Sequence, residues 1–157
     1  MIKQPVDVCG IMYDSILVPT DGSETIDGTL EHAIRMASDT GATIQALYVV
    51  DTRVIHATSG ELRDDLATDL AEQGETAVGA VADRVVEAGL DAETSVRKGT
   101  PDKEIISYAN EHGTDVIVIG THGKTPREKL QSLGSVSERV VDTAEMPVFV
   151  IKNAADA

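Results

Sequence analysis

Residues 115–141, DVIVIGTHGKTPREKLQSLGSVSERVV, decide how the chain is read. Val116, Ile117, Val118 and Ile119 form a short continuous apolar run, which suits a strand buried on both faces. Gly120, Gly123 and Gly134 remove side chains where the backbone turns or approaches something closely. Gly134-Ser135 opens a helix with Val136, Val140 and Val141 on one face. Free N–H groups and a partial positive charge at a helix N-terminus attract anions. Strand end, glycine-bounded loop and helix start together make a phosphate cradle. A plainer role fits the same residues: Ser135 and Glu138 match the S-x-x-E capping box, and Gly120 a strand-end turn. Gly123-Lys124-Thr125 is no P-loop tail, because Val118 stands where that motif needs glycine, and the G-x-G-x-x-G dinucleotide fingerprint is absent.

Outward from this stretch, strands and helices alternate. Residues 15–20 (SILVPT) predict a first buried strand, followed by an Asp21-Gly22-Ser23 turn with Ser23 as candidate N-cap. Ile26, Leu30, Ala33, Ile34 and Ala37 recur at helical spacing, and Gly41 ends that helix. Residues 42–50 form a second strand ending at Asp51, and residues 52–60 a polar loop. A long helix over about residues 61–88 carries a Leu62, Leu66, Leu70, Val78, Val81, Val85 stripe, with Gly74 and Gly79 weakening its middle. In residues 91–97, Ala92, Thr94 and Val96 alternate with Glu93, Ser95 and Arg97, the pattern of an edge strand with one wet face. Thr100-Pro101 reads as cap and first turn of a helix ending at His112-Gly113. The last helix spans about residues 135–144, and Pro147 leads a final strand over residues 148–151. The order βαβαβαβαβ argues for a doubly wound parallel sheet. Ligands in such sheets bind beyond the carboxyl ends of the strands, where the strand order reverses. Asp21 and Gly120 to Gly123 end strands one and four, so both face one crevice if those strands flank the reversal.

At 157 residues the chain is read as one domain over residues 12–152, with residues 1–11 as an extension outside the core and residues 153–157 as a frayed tail. Met12, directly before the first strand, is an alternative start. Apolar residues make up 41% and aromatics only 3%, so the core is built from Val, Ile, Leu and Ala. The net charge of −14 argues against nucleic acid and anionic membranes as partners, since both are polyanions. Thirteen Lys and Arg against 27 Asp and Glu fit either adaptation to a high-salt cytoplasm or an ordinary acidic protein. A lone cysteine, Cys9, forbids an internal disulfide and suits a reducing cytoplasm. No apolar run approaches transmembrane length, and the first residues lack the pattern of a signal peptide.

These residues resemble the universal stress protein family over roughly residues 13–152. The matching pieces are ILVPTDGSE at 16–24, LYVVD at 47–51, DVIVIGTHGK at 115–124 and GSVSERVV at 134–141. The resemblance implies a three-layer, five-stranded parallel sheet of order 3-2-1-4-5, adenine nucleotide alpha-hydrolase-like, in homodimers commonly joined by their last strands. Members that bind ATP carry G-x2-G-x9-G-[ST]. Carried over by position, Asp21 would bind the ribose hydroxyls, with Pro19 and Thr20 beside it, and the Val49 backbone would read the adenine edge. Gly120, Thr121, His122, Gly123 and Lys124 would line the phosphates, and Gly134, Ser135 and Val136 would close on them. A carboxylate suits vicinal hydroxyls, and N–H groups suit phosphate; Asp21 also fits a plain helix-start turn. Ten residues, 124–133, separate Gly123 from Gly134, one more than the pattern holds, and loop tips tolerate such insertions.

The expected function is therefore that of a cytoplasmic, homodimeric regulatory module binding ATP or AMP, with at most slow hydrolysis. Mg²⁺ would ride on the phosphates, since no dedicated protein ligand set accompanies it. The alternative from another class is a dimeric scaffold of the same fold that binds no nucleotide. A dedicated hydrolase is disfavoured, because no G-x-S-x-G elbow occurs and His32, His56, His112 and His122 form no i, i+4 metal pair.

Overall fold

Ile16, Leu17 and Val18 are fully buried in β1 (Ser15–Thr20), the middle strand of the molecule. The computed structural model describes residues 13–23, 26–121 and 135–152. After β1 come α1 (Ile26–Thr40), β2 (Thr43–Asp51), α2 (Thr52–His56), α3 (Glu61–Glu87), β3 (Ala92–Gly99), α4 (Pro101–Glu111), β4 (Val116–Gly120), α5 (Ser135–Thr143) and β5 (Val148–Ile151). The five strands form one sheet of order β3-β2-β1-β4-β5, parallel throughout.

Alternation along the strands sends side chains to two cores. Ile16, Val18, Ile44, Ala46, Tyr48, Val50, Val116 and Val118 pack beneath Leu30, Ala33 and Ala37 of α1 and Val78, Val81 and Val85 of α3. Leu17, Leu47, Ile117 and Ile119 pack on the opposite face against Ile105, Tyr108 and Ala109 of α4 and Val140 of α5. The expected three-layer doubly wound sheet is the one observed.

Several local expectations are corrected. Residues 52–60 are not all loop: Asp51 caps a short helix, its carboxylate accepting from Arg53 N at 3.0 Å and from the Arg53 guanidinium at 2.9 and 2.8 Å. That pairing holds the Asp51 carboxyl below its usual value, with the Arg53 side-chain bond as the main cause. Leu62 is 68% exposed, because α3 starts beyond the sheet and joins the core only from Ala67 onward. Gly74 does more than weaken α3. It is buried, and a Cβ there would lie 2.6 Å from Cδ1 of Tyr48, so the glycine lets helix and ring meet.

In β3 the wet face is partly covered. Thr94 is exposed while Ser95 and Arg97 are half-buried, because Tyr108 and Glu111 of α4 reach over Arg97. Thr100 is the N-cap of α4 but makes no side-chain cap bond. α5 is described from Ser135 onward, and the residues before it, Gly134 included, lie outside the described residues. Val141 is exposed, since the buried face of α5 runs through Ser137 and Val140.

Candidate functional site

The strand order reverses between β1 and β4, and these two strands part early. Their register runs only through Ile16–Val116 and Leu17–Ile117. β1 continues pairing with β2 as far as Thr20–Tyr48, and β4 with β5 as far as Gly120–Ile151. In a parallel strand, both backbone groups of one residue face the same neighbour. Thr43 N donates to Asp14 O, so the even residues of β1 face β2 and the odd ones face β4. Pro19 thus occupies the position whose N–H would continue the ladder to β4, and proline has none. The β1–β4 ladder stops just before the position that the sequence gives to that proline.

Thr20 and Asp21 form one lip. Thr20 is buried, and its Oγ1 accepts from Gly22 N at 3.0 Å. Asp21 is exposed, and its Oδ1 accepts from Ser23 N at 2.9 Å, a self-closed turn that fixes the carboxylate above the strand end. Gly22 takes φ +83°, open to glycine without strain.

Gly120 and Thr121 form the other lip. Ile117 N donates to Pro147 O, so the even residues of β4, Gly120 among them, face β1. With no β1 partner at that height, the Gly120 carbonyl accepts a bond from the Ser137 hydroxyl at 2.6 Å. Thr121 is buried, and its N–H donates to Ile151 O at 3.0 Å. The bond from Ser137 fastens the first turn of α5 to the end of β4. Ser135 is exposed at that turn, while Val136 packs into the core behind it. Val49, two residues before the end of β2, is half-buried and lies in register with Arg97.

Pro19, Thr20 and Asp21, Gly120 and Thr121, and Ser135 and Val136 thus stand around the carboxyl ends of β1 and β4. Val49 stands one strand further on. His122, Gly123, Lys124 and Gly134 lie outside the described residues. Ser137 was not among the expected site residues. Its signal is positional: it lies three residues before Val140, on the inward face of α5, where a small hydroxyl is out of place unless it bonds the backbone. Among the described residues no group of three His, Cys, Asp or Glu is placed to hold a metal ion, and no helix is long and apolar enough to cross a membrane.

A parallel sheet of this order, with helices on both faces and a crevice at the reversal point, defines the adenine nucleotide alpha-hydrolase-like class of α/β proteins. The chain belongs to the universal stress protein family, whose sequence pattern matches residues 12–152. Universal stress protein MJ0531 of Methanocaldococcus jannaschii is 37% identical over 142 residues, covering 90% of this chain and 83% of its own. The solved structure of MJ0577 from the same organism superposes with a TM-score of 0.83 at 32% identity, covering 91% of this chain and 98% of that one. UspA of Lactobacillus plantarum superposes with a TM-score of 0.79 at 28% identity, covering 90% and 99% of the two chains. More distant structures of the same fold were solved with cAMP, at 22% identity and TM-score 0.66, and with dAMP, from Archaeoglobus fulgidus, at 21% and 0.64.

Proposed function

We propose that this universal stress protein is a cytoplasmic, homodimeric regulatory module that binds ATP or AMP in the crevice between β1 and β4. The observation that carries the reading is the parting of those strands at Pro19. It sets the Asp21 carboxylate on one lip and the Gly120–Thr121 backbone on the other. Asp21 accepts from the ribose hydroxyls, and the Val49 backbone reads the adenine edge. The phosphates run toward the glycine segment 120–124 and the N-terminal turn of α5, where N–H groups and the helix dipole favour anions. Ser137 positions that turn. Related proteins solved with cAMP and dAMP support an adenine nucleotide as the ligand class. Mg²⁺ enters with the phosphates rather than on a protein ligand set. Hydrolysis is slow at most, because no positioned general base accompanies the crevice among the described residues.

β5 is an edge strand of the sheet. Its apolar residues, with Phe149 41% exposed, suit pairing with a second copy of the chain. Mass spectrometry of the small molecules released when purified protein is denatured tests the nucleotide reading. An adenine nucleotide in near-stoichiometric amount is the expected result. An empty protein that also shows no heat of binding with ATP or AMP assigns the fold a scaffold role instead.

A further inference from the structure

A second concavity lies on the face of the sheet away from α4 and α5. It is a groove of about 460 Å³, lined among the described residues by Gly22 and Tyr48 and by Asp69, Glu72, Gln73 and Thr76 of α3. The α3 residues recur at i, i+3, i+4 and i+7, so they form one polar stripe along the helix. Asp69 and Glu72 are exposed and have no ion-pair partner among the described residues, in a chain of net charge −14.

Tyr48 supplies the second observation. It is 95% buried, being 5% exposed, its ring is pressed against Gly74, and it forms part of the groove wall. Its hydroxyl makes no hydrogen bond among the described residues, although buried hydroxyls nearly always find one. Burial and the nearby negative charge of Asp21 both keep that hydroxyl protonated. The wall therefore offers a neutral phenol, an amide, a threonine hydroxyl and two carboxylates without an ion-pair partner among the described residues.

We infer that this groove is a binding site for a small organic ammonium ion, held by Asp69 and Glu72 and oriented by the Tyr48 hydroxyl. Charge sets the sign of the ligand: a cleft lined by carboxylates concentrates cations. Volume sets its size. A bare ion would rattle in about 460 Å³, whereas such a space suits an organic molecule. The oxygen acceptors match the N–H donors of an ammonium group, and the Tyr48 ring, Gly22 and Ala77 give its carbon stem an apolar bed. The groove adjoins the nucleotide crevice at the Asp21-Gly22 turn but extends along the other face of the sheet: Tyr48 packs under α3, while Val49 points to the core beneath α4 and α5.

The test is titration calorimetry of the full chain with 1,4-diaminobutane at low ionic strength, with 1,4-butanediol as the uncharged control. Saturable one-site binding of the diamine and no heat from the diol are expected. Tyr48→Phe and Glu72→Gln should each weaken binding about tenfold. Asp142→Asn, on α5 behind the opposite face, should leave it unchanged. Melting curves of the variants establish that each is folded. The inference is overturned if the wild type shows no saturable binding, if the diol binds as well, or if Tyr48→Phe has no effect. It is equally overturned if Asp142→Asn costs as much as Glu72→Gln, since general attraction to an acidic surface then accounts for the heat.

Discussion

The Ser137 hydroxyl donates to the carbonyl of Gly120 at 2.6 Å, joining the start of α5 to the end of β4 across the segment between them. Gly120 faces β1 but has no partner there, so this bond satisfies a backbone acceptor at the floor of the crevice.

Ser137→Ala should leave that carbonyl unpaired and lower stability by about 1–3 kcal/mol. If α5 is also the anion-binding end of the site, adenine-nucleotide affinity should fall with it, and Ser137→Thr should restore part of both. Chemical denaturation and calorimetry on the same samples separate the two effects. A stability loss with unchanged affinity would show that Ser137 is only a brace.

Two glycines of α3 should respond in opposite directions. A Cβ at Gly74 would stand 2.6 Å from Cδ1 of Tyr48, while one at Gly79 meets nothing within 4 Å. Gly74→Ala should therefore cost about 1–3 kcal/mol through overpacking. Gly79→Ala should stabilise the protein by about 0.5–1 kcal/mol through helix propensity. Melting temperatures of the two variants check this, and equal shifts of the same sign would refute the packing argument.

Arg97 is held by three groups: the Tyr108 ring, 4.9 Å from its guanidinium carbon, Glu111 at 2.6 Å, and Glu104 at 3.8 Å. Bonds from Arg97, and then from Ser107, hold the Glu111 carboxyl below its usual value of 4.5. A depressed carboxyl contributes stability that is present above the unfolded value and lost as pH falls through the folded one. The wild type should therefore melt above Glu111→Gln near neutral pH, and the gap should close as pH drops below 4.5. Scanning calorimetry from pH 7 downward reads it; a gap independent of pH rules the coupling out.

The dimer is testable at β5. Phe149 is 41% exposed at the sheet edge, in edge-to-face contact with Tyr13 at 6.5 Å. Light scattering should find a dimer at micromolar concentration, and Phe149→Glu should shift it to monomer by placing a charge on the edge. A wild-type monomer would remove β5 as the joining surface.

Much of this architecture is readable from local pattern. The unbroken apolar runs at 16–18 and 116–119 mark strands buried on both faces, and the helical stripes in α1 and α5 are anchored by Leu30, Ala33 and Val140. What escaped depends on tertiary contacts. Nothing in the neighbours of Gly74 announces Tyr48, which comes from a strand 26 positions earlier in the chain. Leu62 has the spacing of a core residue and is exposed only because α3 outruns the sheet. Asp51 sits at a strand end and caps its own short helix, a role that its pairing with Arg53 settles. At the crevice, Asp21, Gly120 and Ser135 carry the family pattern, whereas the effect of Pro19 needs the register of three strands to be seen.

Asp21 allows the nucleotide reading to be divided into charge and geometry. Its Oδ1 accepts from Ser23 N at 2.9 Å, so the side chain shapes the turn as well as presenting a carboxylate. Asp21→Asn keeps an acceptor for that bond and removes the charge; Asp21→Ala removes both. A charge-assisted bond to the ribose contributes about 1.5–3 kcal/mol, so Asp21→Asn should weaken ATP or AMP binding by roughly tenfold to a hundredfold with little change in stability. Asp21→Ala should weaken binding at least as much and also lower stability by about 0.5–1 kcal/mol. Gly120→Val should be more damaging than either, since it puts a branched side chain at the strand end whose carbonyl Ser137 holds. Calorimetric titration of the wild type and the three variants, with a denaturation curve for each, gives both numbers. If Asp21→Asn binds like the wild type, the carboxylate has no part in ribose recognition and Asp21 is a turn residue alone.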